Sequence, residues 1–233
     1  MVPPRPRKSA SAQAVQVILS ARKVIQQNVI ALEISLRGLL RNFGLKVGAI
    51  LRGRFEHRIR ELADGNAMLE TATAPMLRAR ASLRQELASL ERLVRQMAQD
   101  DSVCVRLMTM PGVGAVVALT YRSAIDDPTR FTSSKNVGPW VGLTPSRNQS
   151  GERDVLGGIT KAGDVSLRRA LCQAATVMMN RGRGTWLRSW GAQVAKRRGR
   201  KKAMVALARR ISVILHRMWV DGTAFQMEAA PTT

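Results

Sequence analysis

A serine lies among cationic residues in a glycine-rich polar segment that spans residues 142–164. Ser150 directly precedes Gly151, and so small a neighbour leaves the serine hydroxyl accessible. A hydroxyl among positive charges near a helix N-terminus suits attack on a phosphodiester, because the cations stabilise the negative charge that develops on the phosphoryl oxygens. On composition alone a turn is the better interpretation, since most Ser-Gly pairs in loops are turns. The cations that can surround the serine are Arg147, Arg153 and Lys161.

Groups that could assist this serine as a base or a metal ligand are scarce. No histidine lies near Ser150 in sequence, so a Ser-His-Asp hydrolase is unsupported, although spacing alone leaves the distant His216 open. The nearby carboxylates lie in loops or at a helix start, and no strands are predicted that would gather them around Mg²⁺. Cys104 and Cys172 have no CxxC spacing and are expected to be ordinary buried thiols. We therefore expect no metal site and no cofactor within this chain.

A second constellation is the turn Met110-Pro-Gly-Val-Gly114, which leads into an apolar run. Gly112 and Gly114 have no Cβ, so the turn can adopt positive φ and bring backbone N–H groups at a helix N-terminus against a phosphate. Contact of that kind positions nucleic acid without reading its sequence. The pattern predicts a helix-hairpin-helix, and the alternative is a plain turn between two helices.

The charge balance indicates a polyanionic partner. The chain has 38 Lys and Arg residues against 16 Asp and Glu, a net charge of +22. A compact fold with that surplus repels itself unless phosphates take up part of it. Between Asp164 and Asp221 there is no acidic residue, and we expect this stretch to form a surface for the phosphate backbone. Its candidate contacts are Arg168, Lys196, Arg197, Arg198, Arg200, Lys201 and Lys202.

Three tryptophans lie within this basic stretch. Trp219 continues an apolar helix face and is expected in the core, whereas Trp186 and Trp190 fit either the core or stacking on a base. Aromatic residues make up only 4% of the chain, so a dedicated base-stacking platform is poorly supported. No apolar run approaches the roughly 20 residues that span a bilayer, and the basic start has no apolar signal core. We expect a cytoplasmic protein with no membrane partner.

Long helices are predicted in the first part of the chain. Apolar residues three and four apart form heptads over residues 12–40 and again over 76–97, each with one arginine in the seam, Arg22 and Arg80. Glycines and the pair Asp64-Gly65 mark breaks between them. The two helices fit an antiparallel hairpin within the chain or an intermolecular coiled coil, because heptads do not report oligomer order.

The fold class predicted for the whole chain is mainly α. Glycines punctuate residues 107–160, helix patterning returns from Asp164, and strand-like alternation is scarce. We expect a long coiled-coil hairpin followed by a compact α-helical domain with the helix-hairpin-helix-like motif. The predicted boundaries are a basic flexible start over 1–11, a coiled-coil region over 12–100, a serine-containing domain over 101–222 and a tail over 223–233.

Several short motifs, taken in order, resemble the transposases of the insertion-sequence 110 (also 116 and 902) group. The resemblance is strong over about the last half of the chain, and the helical first half is similar to the coiled-coil segment of that family. The motifs are Met110-Pro-Gly-Val-Gly114, Phe131, Gly138, Gly142-Leu-Thr-Pro145, Gln149-Ser-Gly-Glu152, Gly158-Ile-Thr-Lys-Ala-Gly-Asp164, Leu167-Arg168, Ala195-Lys-Arg-Arg-Gly199, Ala206-Leu-Ala-Arg209 and His216-Arg-Met-Trp219.

The resemblance implies a layout of an amino-terminal RuvC-like domain with an acidic tetrad for Mg²⁺, then the coiled coil, then the domain present here. It implies that Ser150 is the nucleophile of a DNA recombinase, with Ser146 the less favoured choice. It also implies DNA partners at the element ends and the target, and an element-encoded guide RNA that bridges them in many members. The serine domain of one protomer would complete the site of another, in a homo-oligomer associated with the bacterial nucleoid.

The sequence begins where the metal-binding domain of that family should end. We therefore expect a truncated transposase that binds nucleic acid and self-associates through its coiled coil, but that recombines poorly without the missing domain and its Mg²⁺. The alternative is a non-catalytic DNA- or RNA-binding fragment that dimerises through its helices and modulates full-length transposase.

Overall fold

A computed structural model describes residues 8–150, 153–181 and 184–228, with the side chains of 147–150 and 153–156 outside that description. Within these ranges the chain is mainly helical, which confirms the predicted fold class. The predicted terminal segments 1–11 and 223–233 lie partly outside the described residues. The chain divides into two compact units: residues 18–93 form one, and residues 94–233 with the first 17 residues form the other.

The unit of residues 18–93 is built from two long helices and a short one. The helices are α1 (Ala10–Asn42), α2 (Phe55–Ala63) and α3 (Ala67–Asp100), and a single 3₁₀ turn (Arg52–Arg54) precedes α2.

The two arginines in the heptad seams hold α1 and α3 together. Arg22 pairs with Glu91 at 2.7 Å, and Arg80 pairs with Glu33 at 2.6 Å. Arg22 precedes Glu33 along α1, whereas its partner Glu91 follows Arg80, the partner of Glu33, along α3. The two helices therefore run antiparallel within one chain. Self-association through a coiled coil stays a prediction.

Helix α3 begins earlier than its heptads indicated, because the sequence placed its seam after Pro75. Asn66 caps the helix by accepting a hydrogen bond from the Leu69 amide at 3.1 Å, and Leu69 is buried. Pro75 lies inside the helix and lacks the N–H that would bond the carbonyl four residues earlier. The cap and the burial of the first turns outweigh that single lost hydrogen bond.

The apolar core of this unit lies around Phe55. The guanidinium of Arg80 lies 4.6 Å from the Phe55 ring centroid and that of Arg37 lies 5.2 Å from it, so both cations are within cation–π distance of the ring. Arg80 is only 3% exposed. The buried members of the core are Leu36, Leu40, Val47, Phe55, Ile59, Ala63, Leu69 and Leu77.

The second unit combines short helices, one β-hairpin and three longer helices. The elements are α4 (Ser102–Leu107), α5 (Ala115–Ile125), α6 (Val137–Val141), β1 (Pro145–Ser150), β2 (Arg153–Ile159), α7 (Val165–Arg181), α8 (Trp186–Arg198) and α9 (Arg200–Val220), with 3₁₀ turns at Pro128–Arg130 and Ser134–Asn136.

Helices α7 and α9 form the centre of this unit and pack against each other. Helix α7 buries Leu167, Leu171 and Met178, and α9 buries Leu207, Ile211 and Leu215. The buried Tyr121 of α5 donates a hydrogen bond from its hydroxyl to the Ser212 carbonyl at 2.8 Å, so it ties α5 to α9. Burial raises the pKa of Tyr121 well above its ordinary value, which keeps that hydroxyl protonated.

The β-hairpin is the element that the sequence did not predict. Strands β1 and β2 pair antiparallel, with Pro145 opposite Ile159 and Ser150 opposite Arg153, and the register is irregular between Pro145 and Arg147. Its residues include few of the β-branched and aromatic types that favour strands. No helix within the described ranges is long and apolar enough to cross a membrane.

Candidate functional site

The β-hairpin that carries Ser150 is fastened to the rest of its unit at its base. The Thr160 amide donates to the Thr144 carbonyl at 2.9 Å, and the Lys161 amide donates to the Gly142 carbonyl at 3.2 Å. These bonds continue the pairing of the two strands beyond their ends. The segment that follows, Lys161–Asp164, leads directly into α7.

Two glycines allow that segment to lie against the C-terminus of α6. Gly142 has φ +76°, and a Cβ there would come within 2.6 Å of the Ala162 nitrogen. A Cβ on Gly163 would collide with the Trp140 carbonyl oxygen and the Val141 backbone. Such separations are shorter than atoms tolerate, so both positions require glycine. Lys161, which lies between them in sequence, has a left-handed φ of +56°, a backbone conformation that residues other than glycine rarely adopt.

Arg168 on α7 completes this arrangement. Its Nη1 donates to the carbonyls of Val141, Lys161 and Gly163 at 3.1, 3.2 and 3.5 Å. This nitrogen thus holds backbone of α6 and of the segment after β2, and the predicted contact of Arg168 with a phosphate stays a prediction. We call Gly142, Gly163 and Arg168 the hairpin anchor.

Asp164 sets the direction of α7 from the hairpin anchor. Its Oδ1 accepts hydrogen bonds from the amides of Ser166 and Leu167 at 2.8 and 3.0 Å, which is an N-cap. Its other oxygen lies 3.6 Å from the Lys8 ammonium. Asp164 is therefore occupied by helix capping and by an ion pair.

The upper part of the hairpin contains the predicted nucleophile. The backbone of Ser150 ends β1 opposite Arg153, while Gly151 and Glu152 and the side chains of Ser150, Arg147 and Arg153 lie outside the described residues. The predicted contact between the serine hydroxyl and these cations stays a prediction.

The neighbouring Ser146 is used within the hairpin. Its hydroxyl donates to the Gly158 carbonyl at 2.9 Å across the strands. A Cβ on Gly157 would lie only 2.5 Å from that Ser146 oxygen, so the glycine makes room for it. Ser146 thus has a structural role in the hairpin, and its rank as the less favoured nucleophile stays a prediction.

The two glycines of the predicted helix-hairpin-helix turn lie in different surroundings. Gly112 has φ +89°, and a Cβ there would lie only 2.5 Å from the Ala174 carbonyl oxygen of α7. Glycine at this position therefore lets the turn pack closely against α7. Gly114 precedes the first turn of α5, is exposed, and has nothing within 4 Å of its Cβ position. Gly114 is therefore the better placed of the two for a phosphate at a helix N-terminus.

The predicted basic surface is concentrated where α8 meets α9. Lys196, Arg197 and Arg198 end α8, Gly199 turns the chain with φ +82°, and α9 begins with three further cations. The α8 cations complement the negative end of that helix dipole, whereas those of α9 lie at a positive end, which is unfavourable without an anion. Arg200 also hydrogen-bonds Asn180. The exposed cations here are Lys196, Arg197, Arg198, Arg200, Lys201 and Lys202.

Arg210 lies between the two tryptophans that the sequence left open. Its guanidinium carbon lies 5.0 Å from the Trp186 ring centroid and 4.5 Å from that of Trp190. Trp186 also stacks with Phe225 at 6.5 Å and donates from its indole nitrogen to the Gln226 carbonyl at 3.2 Å. Burial lowers the pKa of Arg210 below its ordinary value. Sequence reasoning missed this stack, because its members are far apart along the chain.

His216 is buried and has hydrogen-bond partners on both ring nitrogens. Nε2 lies 3.0 Å from the Pro128 carbonyl oxygen and Nδ1 lies 2.9 Å from the Ser134 hydroxyl. Since a carbonyl only accepts, Nε2 carries the proton and Nδ1 accepts from Ser134. Burial lowers the pKa of His216, while the Pro128 bond and Asp221 oppose that shift. His216 thus joins two 3₁₀ turns to α9, and its unprotonated nitrogen is engaged by the Ser134 hydroxyl.

Neither cysteine offers a reactive thiolate. Burial, with the charge of Asp101, raises the pKa of Cys104 to about 12. Burial also raises the pKa of the half-buried Cys172, and the Arg168 charge opposes this shift. Because the thiolate is the reactive form, both side chains act as packing residues.

Metal ligands do not gather within the described residues. No group of three or more His, Cys, Asp or Glu side chains there has the geometry to hold an ion. The described carboxylates therefore do not fit the Mg²⁺ that the family resemblance implies, and we assign no metal ligand to them.

Comparison with known proteins agrees with the motifs. Residues 104–190 match the model of the transposase IS116/IS110/IS902 family, a range that holds the Gly112 turn, the hairpin and the hairpin anchor. Over this range the chain is similar to that family of transposases, which confirms the resemblance inferred from its motifs.

Curated relatives extend the similarity to nearly the whole chain. It is 29% identical over 217 residues to a transposase for insertion sequence element IS1111A of Coxiella burnetii, covering 89% of this chain and 59% of that protein. It is 32% identical over 231 residues to a probable family 20 transposase of Pseudomonas aeruginosa, covering 90% of this chain and 64% of that protein. A putative transposase of Sinorhizobium fredii is 27% identical over 227 residues, with coverages of 95% and 58%. The chain thus spans about six tenths of the length of these relatives.

Close backbone packing at Gly163 predicts a strong effect of one added methyl group. We expect Gly163→Ala to lower the free energy of unfolding by about 3 kcal/mol, because the Cβ would overlap the backbone after α6. The matched control is Gly158→Ala, which adds the same methyl group into open space on β2. Urea unfolding followed by circular dichroism measures both, and equal losses in the two variants would contradict this account of the hairpin anchor.

The environment of His216 predicts a loss of stability in acid. The unfolded chain takes up a proton near the ordinary pKa of 6.5, whereas the folded chain resists it. The free energy of unfolding should therefore fall as the pH drops below about 6.5, by at most about 1.4 kcal/mol for each pH unit.

Urea unfolding at pH 7.5 and at pH 5.5 isolates this contribution. The difference in the free energy of unfolding between the two pH values should shrink in His216→Gln. It should persist in His57→Gln, which alters an exposed histidine of α2. An unchanged pH difference in His216→Gln would show that His216 does not carry it.

Proposed function

We propose that this chain provides the serine-bearing, DNA-binding part of an insertion-sequence transposase that cuts and rejoins DNA through Ser150. The observation that carries the proposal is the hairpin anchor, which fixes the base of a polar hairpin whose first strand ends at Ser150. A reactive group needs such fixed support, since catalysis depends on holding the attacking atom in position. The curated relatives named as transposases of insertion sequences support the reaction class.

The proposed step is a transesterification. The Ser150 oxygen bonds to phosphorus, the bond from phosphorus to one sugar oxygen breaks, and the serine proton ends on the departing sugar hydroxyl. Attack by another sugar hydroxyl on the phosphoserine reverses these changes and joins new strands. The predicted neighbours Arg147, Arg153 and Lys161 would stabilise the developing negative charge. Each step conserves the number of phosphodiester-type bonds, so no external energy source is required.

The partners follow from the same proposal. Element-end and target DNA would contact Gly114 and the exposed cations at the α8–α9 junction, and a guide RNA would be a further polyanion for that surface. We propose that this chain acts as a homo-oligomer and together with a carboxylate-bearing, Mg²⁺-binding domain. In support, its relatives are longer than the part that it matches.

A second candidate function is non-catalytic: nucleic-acid binding that modulates a longer transposase. The exposed cations at the α8–α9 junction favour it, because such binding needs no reactive group. Strand-transfer assays of this chain, with and without the amino-terminal part of a longer relative, separate the two. Strand transfer that appears only with supplementation supports the catalytic role, and its absence in both assays supports the modulating one.

The nucleophile is tested by trapping its covalent intermediate. Wild type, Ser150→Ala and Ser146→Ala are each incubated with labelled element-end DNA and the supplementing domain, then resolved under denaturing conditions. We expect a DNA-linked protein band in wild type and Ser146→Ala and at least about a hundredfold less in Ser150→Ala, because a missing nucleophile leaves only non-covalent catalysis. Proteolysis of the wild-type adduct should yield a phosphorylated peptide that contains Ser150. An undiminished adduct in Ser150→Ala would refute the serine proposal.

A further inference from the structure

A cavity of about 670 Å³ lies between the base of the β-hairpin and helices α8 and α9. Its lining is largely aliphatic, with Leu143, Ile159, Val205 and Val213 among its residues. Pockets of about 300–1,000 Å³ hold small organic molecules or parts of larger ones. A largely apolar cavity of this size at the base of the serine-bearing hairpin suits an occupant that has a flat or apolar part.

One aromatic ring forms part of the lining. Trp190 contributes to the cavity, and Arg210, which lies 4.5 Å from its ring centroid, lines the cavity as well. Gly157 and Gly158 of β2 line the cavity with backbone that carries no side chain, and nothing lies within 4 Å of the Cβ position of Gly158. An indole with unobstructed backbone in the same cavity suits a planar ring that stacks on it.

Cations also line this apolar cavity. Lys201, Lys202 and Arg209 are exposed residues of α9 that contribute to the lining. No acidic side chain is among the lining residues within the described ranges. The occupant should therefore join a planar apolar group to negative charge, which is the chemistry of a nucleotide.

We propose that this cavity binds an unpaired DNA nucleotide, with its base stacked on Trp190 and its phosphate beside Lys201, Lys202 and Arg209. The proposal rests on the proposed function and names the substrate form that the same unit takes. A base enters a cavity only when it leaves the helical stack, so the site selects a single-stranded or opened segment over intact duplex. The occupant is taken as DNA rather than RNA because the strands that the proposed function cuts and rejoins are DNA.

The test compares oligonucleotides with and without bases. Fluorescence anisotropy measures binding of the full chain to a labelled oligothymidylate and to an oligomer of equal length in which every base is replaced by an abasic spacer. Wild type should bind the thymine oligomer at least about fivefold more tightly, because base stacking on an aromatic side chain gives a gain of this size.

Two tryptophan variants locate that preference. Trp190→Leu should lose the preference for the thymine oligomer over the abasic oligomer, and Trp190→Phe should keep most of that preference. Trp186→Leu is the matched control, since Trp186 also stacks on Arg210 but is not part of the cavity lining. Equal loss in Trp186→Leu and Trp190→Leu would overturn the assignment to this cavity.

Two double variants test the phosphate contacts. Lys201→Ala with Lys202→Ala should weaken thymine-oligomer binding more than Arg197→Ala with Arg198→Ala, which removes the same charge from α8 outside the cavity lining. Equal weakening by the two pairs would overturn the placement of the phosphate.

The remaining outcomes separate this proposal from the proposed function. Equal binding of thymine and abasic oligomers by wild type overturns the cavity proposal alone, whereas no DNA binding at moderate salt overturns both. Oligouridylate bound as tightly as oligothymidylate overturns the assignment to DNA. If Trp190→Leu does not fold, wild type is cross-linked to a 5-iodouracil oligomer and mapped by mass spectrometry. A cross-link at Trp190 supports the proposal, and cross-links confined to residues outside the cavity overturn it.

Discussion

Close contact between backbone segments at the hairpin anchor is the constraint on which the candidate site depends. Gly142 and Gly163 let the segment after β2 lie against the end of α6 at distances that any Cβ would prevent. Arg168 then ties the segment down by donating to the carbonyls of Val141 and Lys161. A polar hairpin of low strand propensity is thereby held at its base. Many sites on loops depend in the same way on a rigid support beneath them.

The surplus of positive charge is distributed in two ways. Some arginines are satisfied inside the protein: Arg80 pairs with Glu33 beside Phe55, and Arg210 lies between two indoles. Others, at the α8–α9 junction, remain exposed and close to one another in sequence. The first set stabilises packing, whereas the second repels itself and would be relieved by phosphates in the proposed function. Basic composition alone does not distinguish these roles, and only the contacts of each side chain assign them.

The sequence predicted the helices well and their connections poorly. The heptad spacing located α1 and most of α3, and the seam arginines proved to pair with glutamates on the opposite helix. The hairpin was missed because pairing between polar strands depends on the anchor beneath it rather than on local propensity. The role of Arg168 in holding backbone carbonyls could not be predicted, because those carbonyls come together only through the fold. The family was recognisable because its motifs are short, ordered glycine and charge patterns, which are the positions where backbone packing leaves little choice.

Native-state hydrogen exchange of the Thr160 and Lys161 amides tests most directly whether the hairpin anchor holds the site. Their hydrogen bonds to Thr144 and Gly142 close the base of the hairpin. We predict slow exchange at both amides in wild type and much faster exchange in Arg168→Ala, while amides in the middle of α7 stay protected. Fast exchange of Thr160 and Lys161 in wild type, or no change in Arg168→Ala, would contradict the claim that these contacts position the serine-bearing hairpin.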